Sequence, residues 1–327
     1  MKKLTGIDLK NNGCSNERAT IIFYDKYSRN NFINIIKVNS KFIGIDIYDF
    51  CLNIDIDFSA SGAKISSSKY DIELINKSNI IYYPYSYESV FFDPIKGDSY
   101  YKFVKRQFAS ILLYLENIFD LSLGIINTPT NARKWSNKLY QLGEVSKFLP
   151  EYTIQTKIKS KYSDSEIGSI IKHLSETRGI NKYNDSMALR VNKEVKNELS
   201  HGTALPYISQ KYIKSTMEYR CYVFGYELIL LKFSRKDLPS DIIDIHFNME
   251  LLKNAILVKI TDSQLEMIDK ISKLTQLKMF SVDFFSLSTN KLFIIEVNPL
   301  SSWHWLPIPI ILKLEEALKK FIDKILP

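Results

Sequence analysis

Two apolar runs near the C-terminus, joined by a short polar break, constrain this chain more than any other feature of its sequence. The runs are residues 280–285 and 291–299, and the break is 288–290. This pattern predicts a β-hairpin. A two-residue loop and a four-residue loop give the same cross-strand register, and in both cases Asp283 lies directly opposite Glu296.

The polar residues of this hairpin predict a metal site. Side chains alternate along a strand, so Asn298 is expected on the same face as Glu296. Two carboxylates that face each other on apolar strands repel each other and are costly to desolvate. A divalent cation removes that cost, and oxygen ligands from one Asp, one Glu and one Asn suit Mg²⁺. We therefore predict that Asp283, Glu296 and Asn298 bind Mg²⁺; the alternative is a solvated hairpin face.

The composition restricts the nucleotide motifs and partners of the chain. Its 327 residues suffice for two domains, or for one domain with an added lobe, and 45% of them are hydrophobic. Only 11 residues are glycine, and neither of the two commonest glycine-rich nucleotide motifs occurs. The net charge of +8 favours anionic partners, although an ordinary solvated surface also explains it. The three cysteines are far apart and predict neither a zinc site nor a disulfide framework.

The sequence carries no signal for secretion or membrane insertion. The basic start of the chain is not followed by an apolar segment, so we expect no signal peptide. No stretch approaches the roughly 20 apolar residues of a membrane span. A cytoplasmic protein without a membrane partner is therefore expected.

The order of predicted elements indicates an α/β part followed by mostly antiparallel strands, which together make a multi-lobed α+β chain. The predicted elements are short strands with one helix over 19–100, helices over 101–119 and from about 130 to 148, candidate strands at 169–173 and 187–191, strands at 207–213, 219–224 and 228–234, a helix at 263–275, the hairpin, and a closing helix at 307–325.

Three motifs in this order resemble those of ATP-grasp ligases. Asp283, followed by Ile-Glu-Val-Asn-Pro at 295–299, resembles the metal-binding end of these enzymes. Asn-Lys-Leu-Tyr-Gln-Leu at 137–142 resembles the helix that opens their nucleotide site. Gln-Lys-Tyr-Ile at 210–213 and Glu-Tyr-Arg at 218–220 resemble their hinge and the following strand.

Two further details are similar to the peptide-modifying branch, which comprises graspetide (microviridin-type) ligases and grasp-with-spasm peptide maturases. Ile-Asn-Thr-Pro at 126–129 precedes the nucleotide-site helix, and the aromatic tail Trp-His-Trp at 303–305 follows the Glu-x-Asn-Pro motif. The resemblance covers roughly residues 120–327. It implies an ATP-grasp fold with an N-terminal α/β lobe at 1–127, a central lobe with a lid at 128–204, and a C-terminal antiparallel-sheet lobe with the metal site at 205–327.

The resemblance also implies site residues. Those assigned to ATP are Lys138, Lys172, Arg190, Gln210, Lys211 and Ile213. The two lysines would contact the phosphates from different lobes, with Arg190 as a rival to Lys172. Gln210 and Ile213 would frame the adenine, and backbone groups of Lys211 and Ile213 would read its edge. Arg220 and Lys172 are the implied catalytic residues, and Arg220 would hold the transferred phosphate. The alternative for Arg220 is a surface pair with Glu218.

Two stretches depart from the pattern of that branch. Where an Asp-aromatic-Arg triplet is common, residues 244–246 are Asp-Ile-His. His246 puts the role of that arginine in doubt, because histidine is mostly neutral at pH 7, and Arg235 or Lys236 are candidates to replace it. The glycine-rich lid loop is also missing, since residues 175–184 contain only Gly179.

The implied activity is ATP- and Mg²⁺-dependent ligation through an acylphosphate. In the peptide-modifying branch, Asp or Glu side chains of a precursor peptide are joined to Ser or Thr hydroxyls or to Lys amines, and a leader segment docks away from the ATP, here on the 1–127 lobe or the strands after it. One alternative is a ligase for free amino acids or small acids. The other is a non-catalytic basic protein that binds nucleic acid, for which the best cluster, residues 102–106, lies in an ordinary amphipathic helix pattern. A homodimer remains open.

Overall fold

The computed structural model describes residues 20–25, 28–38, 42–59, 62–67, 69–70, 72–74, 79–83, 98–121, 124–159, 169–172, 188–190, 206–236, 252–287, 289 and 291–325. The chain forms two compact units, Met1–Thr130 and Asn131–Pro327. The N-terminal lobe was predicted to end at residue 127. Among the helices in these ranges, none is long and apolar enough to cross a membrane.

The first unit is built on a parallel sheet with strand order β2-β1-β6-β7, and it also contains the three-stranded antiparallel sheet β3-β4-β5. Its elements are β1 (Thr20–Tyr24), α1 (Arg29–Val38), β2 (Phe42–Asp46), α2 (Ile47–Leu52), β3 (Asp55–Ser59), β4 (Gly62–Ser67), β5 (Ile72–Leu74), β6 (Asn79–Tyr83), α3 (Asp98–Asp120) and β7 (Gly124–Ile125).

Aromatic contacts attach helices to both faces of the parallel sheet. Phe23 of β1 stacks on Phe119 of α3, with ring centroids 5.1 Å apart. On the opposite face, Phe32 of α1 meets Tyr83 of β6 edge-to-face at 5.1 Å. The predicted α/β character of the N-terminal part is therefore confirmed.

The prediction of one helix over residues 19–100 was wrong, because a second helix follows β2 directly. The carboxylate of Asp46, the last residue of β2, accepts hydrogen bonds from the backbone N–H groups of Tyr48 (3.0 Å) and Asp49 (3.2 Å). A carboxylate in this position caps the first turn, so the chain enters α2 without a loop.

The second unit contains two antiparallel sheets, with strand orders β10-β9-β11-β8 and β14-β13-β12-β15-β16. Its elements, with the helix that leads into it, are α4 (Pro129–Ser136), α5 (Lys138–Phe148), a 3₁₀ turn (Pro150–Tyr152), β8 (Thr156–Lys159), β9 (Ser169–Lys172), β10 (Ala188–Arg190), β11 (Tyr207–Lys211), β12 (Met217–Phe224), β13 (Glu227–Ser234), β14 (Ile256–Val258), α6 (Asp262–Thr275), β15 (Met279–Ser286), β16 (Leu292–Asn298) and α7 (Ile308–Ile325).

Two details differ from the sequence prediction. The single helix predicted from about 130 to 148 is interrupted at Asn137, whose side-chain oxygen accepts the N–H of Tyr140 (3.1 Å) and so caps α5. Strand β11, which the predicted border at residue 204 placed in the last lobe, pairs instead with β8 and β9 of the four-stranded sheet. The strands β8 and β14 were not predicted.

One face of the five-stranded sheet is apolar, and the other carries both apolar and charged side chains. The apolar face packs against α6 and includes Cys221, Phe280 and Val282, which contribute to one core cluster with Met267 and Ile268. Because side chains alternate along a strand, Arg220 and Asp283 lie on the opposite face. The buried Arg220 and Asp283 are thus carried by strands whose other face is packed into the core.

The turn between β12 and β13 requires glycine. Gly225 has a φ of 59°, which suits the first position of a two-residue hairpin turn. A Cβ atom at this position would lie 2.6 Å from the ring of Phe321 on α7. Both the backbone conformation and the close approach of α7 therefore exclude a side chain.

Candidate functional site

The carboxylate hairpin forms, and the predicted register is confirmed at residues 281–283 but is shifted by one residue between Phe284 and the turn. Asp283 pairs with Glu296 across β15 and β16. The predicted loop lengths were wrong: the N–H of Leu287 donates to the carbonyl of Lys291 (2.9 Å), which leaves three residues in the loop. A bulge next to Asp283 adds one residue to β16 and restores the predicted pairing.

Asp283 is buried and its charge is balanced by an arginine on the neighbouring strand. Arg220 binds it with two hydrogen bonds, Nε to Oδ1 (2.5 Å) and Nη2 to Oδ2 (2.7 Å). The amide nitrogen of Asn298 donates a third to Oδ2 (3.1 Å). Burial disfavours the charged guanidinium, but the nearby carboxylate outweighs it, so the pKa of Arg220 is held above its usual value. The cost of burying Asp283 is thus offset by Arg220 itself.

The alternative pairing of Arg220 with Glu218 was wrong, because Glu218 has a different partner. Its carboxylate oxygen Oε2 accepts a hydrogen bond from Nη1 of Arg235 at 2.6 Å, and both side chains are almost fully buried. The guanidinium carbon of Arg235 also lies 4.9 Å from the ring centre of Phe285. Arg235 is therefore anchored in a buried ion pair, whereas Lys236 is exposed. Residues 244–246 and 175–184 lie outside the described residues.

The aromatic tail after β16 packs on the face of the sheet that carries Arg220 and Asp283. Trp303 is buried and meets Tyr222 and Phe224 edge-to-face, at 6.2 and 5.7 Å. The ring of Trp305 lies 5.6 Å from the guanidinium carbon of Arg220. These contacts shield the Arg220–Asp283 pair from water, which strengthens it electrostatically.

A cleft in the second unit encloses about 590 Å³ of empty space, part of which is open solvent, and its wall includes Glu296, the cross-strand neighbour of Asp283. It brings together four residues that the sequence assigned to the site: Lys138, Lys172, Gln210 and Glu296. They come from α5, β9, β11 and β16. Ile294, Ile295 and Glu296 all line it, although consecutive residues of a regular strand face opposite sides. The bulge in β16 makes this possible.

Lys138 is placed to bind an anion in this cleft. It is the first residue of α5, where unpaired N–H groups and the helix dipole give a partial positive charge. Within the described parts of the chain, no hydrogen bond or ion pair is found for its ammonium group. Lys172 reaches the same cleft from β9.

The structure places the other predicted nucleotide residues as follows. Gln210 is buried and donates from Nε2 to the hydroxyl of Thr156 (3.0 Å). The backbone N–H of Lys211 donates to the carbonyl of Gln155 (2.9 Å), so this N–H is already engaged by the neighbouring segment. Ile213 follows β11 and is half-buried, but it does not line the cleft. Arg190 lies in β10 opposite Ile170, and its side chain is outside the described part.

The oxygen ligands fit Mg²⁺, although they are few. Within the described ranges, no group of three or more His, Cys, Asp and Glu residues is arranged to hold a metal. An ionised carboxylate has about four acceptor positions, and the three hydrogen bonds to Asp283 leave about one. Glu296 is half-buried on the cleft wall, and Asn298 directs its nitrogen to Asp283. Such a set leaves coordination positions for phosphate oxygens and water, as Mg²⁺ prefers.

Sequence reasoning missed the role of one residue, Gln141, whose carboxamide joins α5 to β16. Its Oε1 accepts the N–H of Val297 (3.0 Å), and its Nε2 donates to the carbonyl of Val297 (2.7 Å) and to that of Trp135. The only sequence signal was its place in the 137–142 motif.

Comparison with known proteins supports the fold. No protein-family model matches the sequence, and neither does any curated protein. Among solved structures, a RiPP-associated ATP-grasp ligase of Chryseobacterium gregarium, in complex with ADP and a leader and core peptide, aligns with a TM-score of 0.75 at 13% identity, over 94% of this chain and 97% of that one. The macrocyclase MdnC of Microcystis aeruginosa, bound with the precursor peptide MdnA, aligns at 0.72 and 14% identity, over 94% and 99%. The ATP-grasp ligase PsnB, complexed with minimal precursor, Mg and ADP, aligns at 0.67 and 10% identity, over 95% and 99%.

These alignments extend over nearly the whole of each chain. The protein therefore has the ATP-grasp fold.

Proposed function

We propose that the protein is an ATP-dependent ligase that binds ATP in the cleft between α5, the four-stranded sheet and β16. The observation that carries this proposal is the convergence of Lys138 and Lys172 on one cleft with Glu296. The two lysine ammonium groups and the N-terminus of α5 suit the phosphates of ATP, and the apolar walls of the cleft suit its adenine ring. Arg190, Lys211 and Ile213 remain candidates for contacts to ATP.

The proposed metal site lies at the phosphate end of the cleft. Asp283, Glu296 and Asn298 would hold Mg²⁺, which would neutralise phosphate charge there. Arg220 keeps the Asp283 carboxylate in one orientation through its two hydrogen bonds. Its positive charge also lies next to the site, where it would favour the transferred phosphate, as the resemblance implies.

The proposed substrate is a side-chain carboxylate of a precursor peptide. A carboxylate oxygen attacks the γ-phosphorus of ATP, which gives an acylphosphate and ADP. A hydroxyl or amine then attacks the carbonyl carbon, inorganic phosphate leaves, and the nucleophile loses its proton. The balance is one ester or amide formed and one ATP converted to ADP and phosphate. The chain supplies positioning and charge neutralisation for both steps.

The support for a peptide substrate is the fold shared with structures that hold leader, core or precursor peptides. The net charge of +8 also suits an acidic peptide. Docking of a leader on the N-terminal lobe or the strands after it, a cytoplasmic location and a homodimer remain part of the proposal.

The test is to incubate the protein with ATP, Mg²⁺ and a precursor peptide encoded beside its gene. Each bond formed removes one water, so the peptide mass should fall by about 18 Da per bond while ADP appears in step. A Lys138→Ala variant is the matched control and, at ATP concentrations below its Kd, should reduce both signals together. An unchanged peptide, with ATP turnover only when a free amino acid is added, would assign the protein to small-molecule ligases instead. No ATP turnover with any carboxylate would refute a ligase.

A further inference from the structure

The side chain of Gln141 on α5 binds the main chain of a neighbouring strand. Both polar atoms of its carboxamide bond the main chain of one residue, Val297, and the nitrogen also bonds the carbonyl of Trp135. The side chain is buried, with 6% of its surface exposed. The carboxamide therefore pairs with β16 as the backbone of an additional strand would.

The position of Val297 gives this contact its significance. Strand β16 is the outer strand of the five-stranded sheet, and within the described ranges no strand pairs with its other edge. Val297 lies between Glu296 and Asn298 in the chain, and Gln141 lies one helical turn after Lys138 on α5. One side chain thus ties the helix that carries the proposed phosphate lysine to the strand that carries two proposed metal ligands.

We propose that Gln141 is a positioning residue of the site, which fixes Lys138 relative to Glu296 and Asn298 by clamping α5 to the outer edge of β16. The inference rests on the proposed function, because that function assigns the three residues to ATP and Mg²⁺. Hydrogen bonds to both the N–H and the carbonyl of Val297 set distance and direction, which a single bond or an apolar contact does not.

The test variant is Gln141→Met, which keeps the side-chain length and removes all three hydrogen bonds. Gln264→Leu is the matched control, because Gln264 is also a buried helix glutamine whose Oε1 accepts a backbone N–H, that of Thr261 (3.0 Å), but it lies in α6 outside the cleft. The Kd of ATP is measured at several Mg²⁺ concentrations, and amide hydrogen exchange is followed at Val297.

Gln141→Met is expected to raise the Kd of ATP, and the Mg²⁺ concentration needed for binding, by about 10–100-fold, as is usual for residues that orient ligands from outside the first coordination sphere. The amide of Val297 should exchange faster in this variant alone. Gln264→Leu should lower the melting temperature while ATP binding stays within about twofold of the parent.

Each other outcome has a distinct meaning. If the parent protein does not bind ATP, the proposed function fails. If the parent binds ATP and Gln141→Met binds it equally well, or if exchange at Val297 is unchanged, the positioning role is refuted and the proposed function stands. If Gln141→Met does not fold, the milder Gln141→Asn carries the test, because it keeps the carboxamide but is one methylene too short to reach Val297.

Discussion

Replacing Arg220 by methionine should destabilise the second unit by about 3–5 kcal/mol, because it leaves a buried carboxylate without its cation. The side chains of Arg220 and Asp283 are only 9% and 4% exposed. The variant loses two charge-assisted hydrogen bonds, each worth about 1.5–3 kcal/mol, and the remaining bond from Asn298 does not carry a positive charge. For a unit of this size the loss corresponds to a fall in Tm of about 6–20 °C.

The assay is urea unfolding followed by tryptophan fluorescence, for which Trp303 and Trp305 lie close to the ion pair. The double variant Arg220→Met/Asp283→Leu replaces the pair by apolar side chains and should recover most of the lost stability. A loss below about 1 kcal/mol in the single variant would refute the reasoning, since that is the range of exposed ion pairs. A double variant no more stable than the single variant would refute it as well.

Three further predictions concern the cleft, the turn and pH. Lys138→Ala and Lys172→Ala should each weaken ATP binding about tenfold or more in calorimetric titration, with little change in Tm; parent-like affinity in both would exclude them as phosphate ligands. Gly225→Ala should cost about 1–3 kcal/mol in chemical denaturation, because of its positive φ and the ring beside it, whereas Gly143→Ala, in the open on α5, should be neutral or stabilising. Burial lowers the pKa of His304 in the folded protein, so as the pH falls this imidazole is protonated in the unfolded chain before it is protonated in the folded one. The free energy of unfolding should therefore decrease as the pH drops below about 6.5. Thermal melts at several pH values should show a smaller decrease for His304→Asn.

The sequence was sufficient to predict those parts of the fold that depend on local residue patterns. The pairing of Asp283 with Glu296 followed from period-two alternation and one polar break, and it was correct even though the loop length was not, because the bulge compensates for it. The main helices and the strands of the five-stranded sheet also follow local periodicity, except for short β14.

Contacts between distant segments were not predictable from local patterns. The partner of Arg220 is 63 residues away on β15, and only the strand order shows that β12 and β15 are neighbours. The same holds for Gln141, 156 residues from the main-chain groups that it binds. The hydrogen bond from the N–H of Lys211 to the carbonyl of Gln155 likewise joins segments more than 50 residues apart, and no local pattern indicates it.

The bulge in β16 separates two properties that a simple hairpin couples, the length of its turn and the identity of the residues that face each other. Between Asp283 and the turn, β15 supplies residues 284–287, whereas β16 supplies 291–295, one residue more. A relative that lacked the additional residue, Ile295, would still bring its aspartate and glutamate together with a turn of this length. The number of residues between the two carboxylates is therefore free to vary by one in evolution while the site is kept, and a search for such sites by fixed spacing would miss members that differ only in this bulge.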